Sequence, residues 1–220
     1  MTLVEEAFLD IHRGRIHPFY IQIGRKRRKE DLTYYFQGFP SFHPVEKALL
    51  GAAEGRVYDA AAGAGRMGLT LRERRIEAVC GDASSVMRKI GLERGCSDYR
   101  IEDLLAPTLP EYFFDTVVFM GNSIGFCRNK DEIAGVVKTL SDRLVPGGLL
   151  LMSATDPSVF GLEKSAFLPF VQIYKKREEK GGWFLADISL IREASSGLFT
   201  IEAMMSHEGM NGFFFRKREG

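Results

Sequence analysis

The stretch that decides the fold is VYDAAAGAGRMG, which runs from Val57 to Gly68. It begins with apolar residues, reaches an aspartate at Asp59 and then turns through Gly63 and Gly65. An apolar run that ends in a glycine-rich turn is typical of a strand leading into a nucleotide-binding loop, because glycines let the backbone approach a cofactor closely. The part from Gly63 to Gly68 also matches G-x-G-x-x-G, a short pattern that is weak by itself.

Asp59 separates two interpretations of this loop. A strand leading directly into a pyrophosphate loop would place its carboxylate beside another negative charge, which is unfavourable. An amino group would be attracted to the same carboxylate. The acid therefore favours a cofactor that carries an amino group over a nicotinamide dinucleotide.

The resemblance of this chain to a known family begins at the same residues. Asp59, Ala61, Gly63 and Gly65 follow the D-x-G-x-G-x-G pattern with its first glycine replaced, and here the chain resembles the class I S-adenosylmethionine-dependent methyltransferases. Four further segments resemble the family's later strands in the right order, namely Val79–Ala83, Tyr99–Leu104, Phe114–Gly125 and Leu144–Leu151. The likeness covers about residues 45 to 155, roughly half of the chain.

The resemblance implies an α/β fold with a Rossmann-like, doubly wound, mostly parallel sheet that has helices on both faces. It also implies S-adenosylmethionine as the cofactor and no metal. Asp59 is expected to anchor the methionine amino group, and the backbone at Ala61, Gly63 and Gly65 to pass close to the cofactor. The alternatives are that Asp59 caps the following helix and that the glycines are ordinary turn residues. Because only glycine reaches positive φ without steric cost, Ala61 is expected to reshape the turn or displace the methionine end.

Further cofactor contacts follow from the later segments. Asp82, 23 positions after Asp59, is expected to accept both ribose hydroxyls, and its alternative is a helix N-cap. The remaining expected contacts are Ala83 and Met87 on the adenine face, Asp103 and Leu104 near the adenine amine, and Met120 and Asn122 after the fourth strand. Met87 is equally well a core residue, and Asp103 a solvated strand end. Asn122, which carries both a donor and an acceptor, is the candidate catalytic residue.

Composition limits the class of protein. The chain has 220 residues, 45% of them hydrophobic and 27% charged, as in an ordinary globular protein that folds as a single domain. The net charge of +1 is not that of a dedicated nucleic-acid binder. The three cysteines have no C-x-x-C spacing, which predicts neither a disulfide framework nor a zinc cluster. An acidic N-terminus and the lack of a long apolar run predict a cytoplasmic protein with no membrane partner.

Three regions are expected along the chain. Residues 1–45 are predicted to cover the substrate, residues 46–155 to form the cofactor-binding core, and residues 156–220 to supply antiparallel strands that complete the sheet or the acceptor site. The predicted C-terminal strands are 170–176, 183–192, 198–205 and 213–218, with turns at 181–182, 195–197 and 211–212 and at best a short helix near 158–166. Exposed edges of such strands could pair between subunits, so a homodimer stays open.

No general base is evident. The four histidines, His12, His17, His43 and His207, all lie outside the matched segments. The tyrosines and phenylalanines between Tyr34 and Phe42 are expected either to cover the site or to pack in the core. The basic run from Arg25 to Lys29 is followed by two acids, which favours a solvated face over a phosphate or nucleic-acid site.

Four functions are compatible with these features. The first is methyl transfer by in-line displacement to a small molecule, since the loop after the fourth strand, GNSIG, resembles that of small-molecule methyltransferases. The second is methylation of RNA or protein with help from the basic run. The third is a non-catalytic module with a degenerate methyltransferase fold, suggested by Ala61 and the missing base. An NAD-dependent oxidoreductase is the least favoured.

Overall fold

The computed structural model describes residues 1–219. Its helices are α1 (Leu3–His12), α2 (Pro44–Gly51), α3 (Arg66–Glu73), α4 (Ser85–Arg94), α5 (Lys130–Arg143) and α6 (Ile188–Ser195). Its strands are β1 (Phe19–Ile23), β2 (Lys26–Glu30), β3 (Val57–Ala60), β4 (Ala78–Asp82), β5 (Asp98–Ile101), β6 (Phe114–Phe119), β7 (Leu144–Thr155), β8 (Ala166–Tyr174), β9 (Arg177–Leu185), β10 (Phe199–His207) and β11 (Met210–Lys217). Short 3-10 helices occupy Leu32–Phe36, Phe39–Ser41, Ser123–Phe126 and Pro157–Phe160.

The larger sheet has seven strands in the order β10-β11-β7-β6-β3-β4-β5. Strands β3 to β7 are mutually parallel, and β11 runs antiparallel to both β7 and β10. The predicted Rossmann-like, mostly parallel sheet is therefore confirmed. The chain order reverses between β3 and β6, which creates the switch point where open α/β sheets bind ligands at their carboxyl edge.

Two apolar cores hold helices against opposite faces of this sheet. One core joins α2 and α3 to β3, β6 and β7 through residues such as Leu49, Leu71 and Val118. The other joins α5 and α6 to the opposite face through residues such as Ile133, Leu140 and Ile191. Strand β6 is almost entirely buried, because helices cover both of its faces.

A second sheet has four antiparallel strands in the order β2-β1-β8-β9. Phe19 of β1 pairs with Tyr174 of β8, so the N-terminal hairpin joins a hairpin inserted after β7. Helix α1 packs on one face of this sheet around Phe19, Ile21 and Phe170. We call this sheet together with α1 the cover layer.

Several predictions for the C-terminal region are wrong. The predicted strand 183–192 ends at Leu185, and α6 follows, because Asp187 accepts the Leu190 N–H and caps a helix whose apolar residues have helical spacing. The predicted helix near 158–166 is only the 3-10 turn Pro157–Phe160. Of the four strands, β10 and β11 complete the large sheet, whereas β8 and β9 belong to the cover layer.

Two predicted glycine turns are also wrong. Gly181 and Gly182 lie inside β9, opposite Phe170 and Pro169, and a Cβ on either glycine would overlap an aromatic ring of β8. Gly212 lies inside β11, where a Cβ would overlap Val45 of α2. These glycines are required for close packing and not for a turn. The turn at 195–197 is confirmed between α6 and β10.

No helix among residues 1–219 is long and apolar enough to cross a membrane.

Candidate functional site

The loop between β3 and α3 has the backbone conformation that a glycine-rich cofactor loop requires. Ala61, Gly63 and Gly65 all have positive φ, at 54°, 56° and 79°. Ala61 stands where the pattern has its first glycine, and it keeps the left-handed conformation despite its Cβ. This conformation has a steric cost for alanine. A Cβ on Gly63 would meet nothing within 4 Å, so this part of the loop borders open space at the edge of the sheet.

Asp59 is the third residue of β3, and its side chain reaches the first turn of α3. It is 2% exposed, and its Oδ2 accepts the Gly68 N–H at 3.0 Å. The N-cap residue of α3, Gly65, has no side chain, so Asp59 supplies the acceptor that the first turn lacks. The predicted alternative, a helix-capping role, is thus part of what Asp59 does. Burial raises the pKa of Asp59 to about 7.

Asp82 ends β4 and is held by two backbone amides. Its Oδ2 accepts the Gly63 N–H at 3.0 Å, and its Oδ1 accepts the Ser84 N–H at 2.9 Å. Helix α4 is capped by Ser84, whose Oγ accepts the Met87 N–H at 3.2 Å, so Asp82 is not the N-cap residue. Burial raises the pKa of Asp82. The carboxylate is fixed in orientation beside the glycine loop, with lone pairs left for a ligand.

The residues expected near an adenine ring differ in their surroundings. Ala83 is exposed, whereas Met87 is buried against Phe8 of α1. Asp103 is exposed and its Oδ1 accepts the Leu105 N–H at 2.9 Å, while Leu104 is half-buried. All four lie near the carboxyl ends of β4 and β5.

The loop after β6 is anchored to β7. Asn122 has a φ of 61°, and its Oδ1 accepts the Thr155 N–H at 3.0 Å. Gly121 donates its N–H to Ser153 Oγ at 3.0 Å, and Met120 is buried in the core under α2. The Asn122 oxygen therefore fixes the loop. The Nδ2 amino group of the same side chain is the part that is left to donate to a ligand.

A buried ion pair beside the loop was missed at the level of sequence. Arg66, the first residue of α3, donates from Nη2 to Glu46 Oε1 at 2.8 Å, and the two residues are 5% and 0% exposed. The Arg66 guanidinium lies 4.4 Å from the Tyr34 ring centre and 4.3 Å from that of Phe42. Tyr34 OH donates to Glu46 Oε2 at 2.7 Å. The one sequence feature that pointed to a role for Arg66 near the cofactor loop was its position directly after Gly65.

Arg66 retains unused hydrogen-bonding capacity. Its Nη1 is buried and has no hydrogen-bond partner within the described residues. An unpaired buried N–H of a guanidinium is costly, so a ligand that accepts from it would be stabilised. The Arg66 charge also acts on the carboxyl of Asp59, which places a cation and an acid together at the start of α3.

The N-terminal segment lies over this edge of the sheet. Ser84 Oγ donates to Glu5 Oε1 of α1 at 2.5 Å, and Phe8 packs with Ala64 of the glycine loop. The Phe8 ring is 5.4 Å from Tyr35 and 5.5 Å from Phe36. These contacts place α1 and the 3-10 helix Leu32–Phe36 beside the glycine loop, and the covering of the substrate by residues 1–45 stays a prediction.

The histidines are held by structural contacts. His43 accepts the Val45 N–H on Nδ1 at 3.2 Å and so caps α2, and its ring centre lies 5.5 Å from that of His207. His12 pairs with Glu93 at 2.7 Å, and His17 packs edge-on to Tyr174. Among residues 1–219, no group of three or more His, Cys, Asp or Glu side chains is placed to hold a metal ion.

Comparison with known proteins gives matches in structure only. No protein-family model and no curated protein sequence matches the chain. A S-adenosylmethionine-dependent methyltransferase from Bacteroides fragilis, solved with S-adenosyl-L-homocysteine, is 19% identical with a TM-score of 0.84, and the match covers 99% of this chain and 95% of that one.

Two further solved structures are more distant. The glycopeptide N-methyltransferase MtfA, solved with S-adenosylmethionine, is 17% identical with a TM-score of 0.64 over 80% of this chain and 86% of that one. A sugar N-methyltransferase from Streptoalloteichus is 15% identical with a TM-score of 0.61 over 80% and 85%. The chain therefore has the fold of the class I S-adenosylmethionine-dependent methyltransferases.

Proposed function

We propose that this protein is a S-adenosylmethionine-dependent methyltransferase that acts on a small molecule. The observation that carries the proposal is the placement of two acids at the carboxyl ends of adjacent strands, Asp59 on β3 and Asp82 on β4. Both accept hydrogen bonds from the backbone of the loop between them, at Gly68 and Gly63. One loop thus fixes the two carboxylates that a ribose and an amino group would need.

The residues present fit this cofactor at its amino-acid end. Arg66 brings a buried N–H without a partner, and Asp59 brings a buried carboxyl nearby. A zwitterion with one ammonium and one carboxylate would complement these two groups, because each charge would meet its opposite in a place shielded from water. Open space next to Gly63 and Gly121, both at positive φ, leaves room for a ligand against the backbone.

The proposed cofactor-binding residues are Asp59, Ala61, Gly63, Gly65, Asp82, Ala83, Met87, Asp103, Leu104, Met120 and Asn122, to which Arg66 is added. When bound, S-adenosylmethionine supplies a methyl group activated by a positively charged sulfur. Asp82 would hold the ribose hydroxyls and Asn122 would orient the groups at the reacting end. Alignment of the reactants by such contacts supplies much of the rate in a displacement reaction, so no metal is needed.

The cover layer supports a small acceptor. We propose residues 1–45 as the cover, residues 46–155 as the cofactor-binding core and residues 156–220 as the region of antiparallel strands that completes the sheet or the acceptor site. Phe184 of β9 packs in the same core as Ile124 of the loop after β6, so the inserted hairpin borders the proposed reacting end. Similar folds include methyltransferases for a glycopeptide and for a sugar.

One observation favours a larger acceptor instead. Strand β2 forms an edge of the cover layer, and Lys26, Arg27, Arg28 and Lys29 are all exposed. An exposed basic edge is what a polyanion such as RNA would contact. RNA binding that weakens steeply with salt and is lost when the four residues are changed to Ser would favour this second function.

The experiment that tests the proposal is calorimetric titration with S-adenosylmethionine and S-adenosylhomocysteine, with NAD as the control ligand. We expect micromolar binding of the first two, lost in Asp82→Ala and retained in Glu73→Ala, an exposed acid of α3 near its C-terminal end. Binding of NAD instead, or equal losses in both variants, would contradict the proposed site. Cofactor binding without turnover across an acceptor screen would favour the degenerate module.

A further inference from the structure

Two buried thiols lie behind the glycine loop. Cys80 is in the middle of β4, and Cys96 follows Gly95, the residue that ends α4. They are 1% and 7% exposed and pack in one small cluster with Tyr99. A Cβ on Gly68 would overlap Cys80 Sγ and lie 3.9 Å from Cys96 Sγ, so both sulfur atoms occupy the same small space beside α3.

A cavity reaches these thiols from the surface. Its volume is about 350 Å³, and its walls include Cys80 and Cys96 together with Arg72, Arg75 and Ser97. The last three residues are exposed, so the mouth of the cavity opens to solvent. A molecule of the size of hydrogen peroxide fits in this cavity, where Cys96 is the more exposed of the two thiols.

The two thiols differ in chemical character. The interaction with the neighbouring Cys80 thiol, together with the charges of Arg94 and Arg72, lowers the pKa of the Cys96 thiol. The same interaction and burial raise the pKa of Cys80. Cys96 is then the better nucleophile and Cys80 the thiol that responds to it, because the thiolate is the reactive form.

We propose that Cys80 and Cys96 form an oxidisable pair that hydrogen peroxide converts into a disulfide. In the first step the Cys96 thiolate attacks one peroxide oxygen: the S–O bond forms, the O–O bond breaks, and the leaving hydroxide takes up a proton to become water. In the second step Cys80 sulfur attacks the Cys96 sulfenic acid: the S–S bond forms, the S–O bond breaks, and a second water leaves with the Cys80 proton. The thiols lose two electrons and the peroxide gains them.

Oxidation changes contacts directly behind the cofactor loop. Cys80 Sγ lies 3.9 Å from Asp59 Oδ2, and Cys96 Sγ lies 3.8 Å from the Gly65 carbonyl oxygen. A disulfide removes both S–H donors and draws the two sulfur atoms together. We expect the oxidised protein to bind S-adenosylhomocysteine at least several-fold more weakly, a consequence that rests on the proposed function, whereas the disulfide itself does not.

The three cysteines fall on separate tryptic peptides, 76–88, 95–100 and 101–128, which makes the chemistry easy to follow. The purified protein is treated with a few equivalents of hydrogen peroxide, alkylated and digested without reduction. We expect peptides 76–88 and 95–100 to be linked, with Cys127 alkylated as in the untreated protein. Cys127 is a matched control thiol, since it is also buried and burial raises its pKa to about 12.

Variants complete the test. Cys127→Ser should keep the linked peptides, and Cys96→Ala should lose them. Cys80→Ala should instead accumulate sulfenic or sulfinic acid on Cys96, because the responding thiol is gone. Oxidation of Cys127 at the same rate as Cys96, or the absence of linked peptides in the wild-type protein, would overturn the proposal.

Titration of the reduced and the oxidised protein with S-adenosylhomocysteine keeps the two claims apart. If the reduced protein does not bind, the proposed function fails while the disulfide result stands. If the reduced and oxidised forms bind equally well, the link between the thiol pair and the loop is overturned.

Discussion

The two sheets of this molecule are assembled in opposite ways. The parallel strands β3 to β7 follow one another along residues 57–155, and the two acids of the proposed cofactor site, Asp59 and Asp82, lie at the carboxyl ends of β3 and β4. The cover layer joins β1 and β2, from residues 19–30, to β8 and β9, from residues 166–185. The proposed cofactor side is thus built from local patterns, whereas the proposed acceptor side depends on pairing between distant segments. Changes within each region can test this difference.

The largest effect is expected within the parallel core, at the buried pair of Arg66 on α3 and Glu46 on α2. Arg66→Met would leave the Glu46 carboxylate buried without its cation, at a cost of roughly 3–5 kcal/mol in the free energy of unfolding. Urea unfolding measures this. The double variant Arg66→Met with Glu46→Leu should recover much of the loss, because no unpaired charge remains. A single variant as stable as the wild type would mean that the pair does not stabilise the packing of α2 and α3.

The next effect belongs to the core alone and depends on pH. The native pKa of Asp59, about 7, is above its ordinary value of 3.8, so the folded state binds a proton more tightly than the unfolded state. Protonated Asp59 therefore stabilises the folded state at low pH, and this contribution is lost as pH rises from about 4 to about 7. The free energy of unfolding should fall by on the order of 4 kcal/mol over that range. Asp59→Asn should flatten that part of the curve of unfolding free energy against pH.

Asp115→Asn is the matched control for this curve. Its hydrogen bonds with Arg56 lower the pKa of Asp115, so its contribution has the opposite sign and is lost as pH falls. An unchanged slope between pH 4 and 7 in Asp59→Asn would show that the buried acid is not the group that titrates.

A smaller effect should be confined to the cover layer. Asp10 of α1 is buried and accepts from Tyr174 OH at 2.8 Å and from Arg15, and it also pairs with Lys175 at the β8–β9 turn. Asp10→Ala should destabilise the contact between α1 and this hairpin by about 1–3 kcal/mol. Hydrogen exchange should speed up in α1 and in residues 170–180 with no change in β6. Faster exchange in β6 as well would mean that both regions unfold as one unit.

The smallest effect is expected at Ala61. Its φ of 54° is accessible to glycine without steric cost, so Ala61→Gly should stabilise the protein by roughly 0.5–1 kcal/mol. Thermal unfolding measures the gain, and Ala60→Gly in the neighbouring strand should instead destabilise. Loss of stability in Ala61→Gly would contradict the strain assigned to this loop.

Much of the core could be predicted because its signals are local. The strand before the glycine-rich loop was predicted from its apolar run, and the structure has it at Val57–Ala60, since the signal for it lies inside the element. The C-terminal region was predicted less well. Glycines at 181, 182 and 212 have the composition of turns but serve close packing, which depends on rings and side chains from other segments.

By itself, the sequence determined the parallel core and the residues of the proposed cofactor site at its carboxyl edge. Acids at strand ends and glycines in the following turn can be recognised there because they lie within a few positions of each other. Only the tertiary structure decided that Arg66 meets Glu46, that two distant hairpins form one sheet and that Cys80 lies beside Cys96. These contacts join residues with no fixed spacing along the chain. Their free energy comes from burial and charge pairing in the folded protein, which no local period encodes.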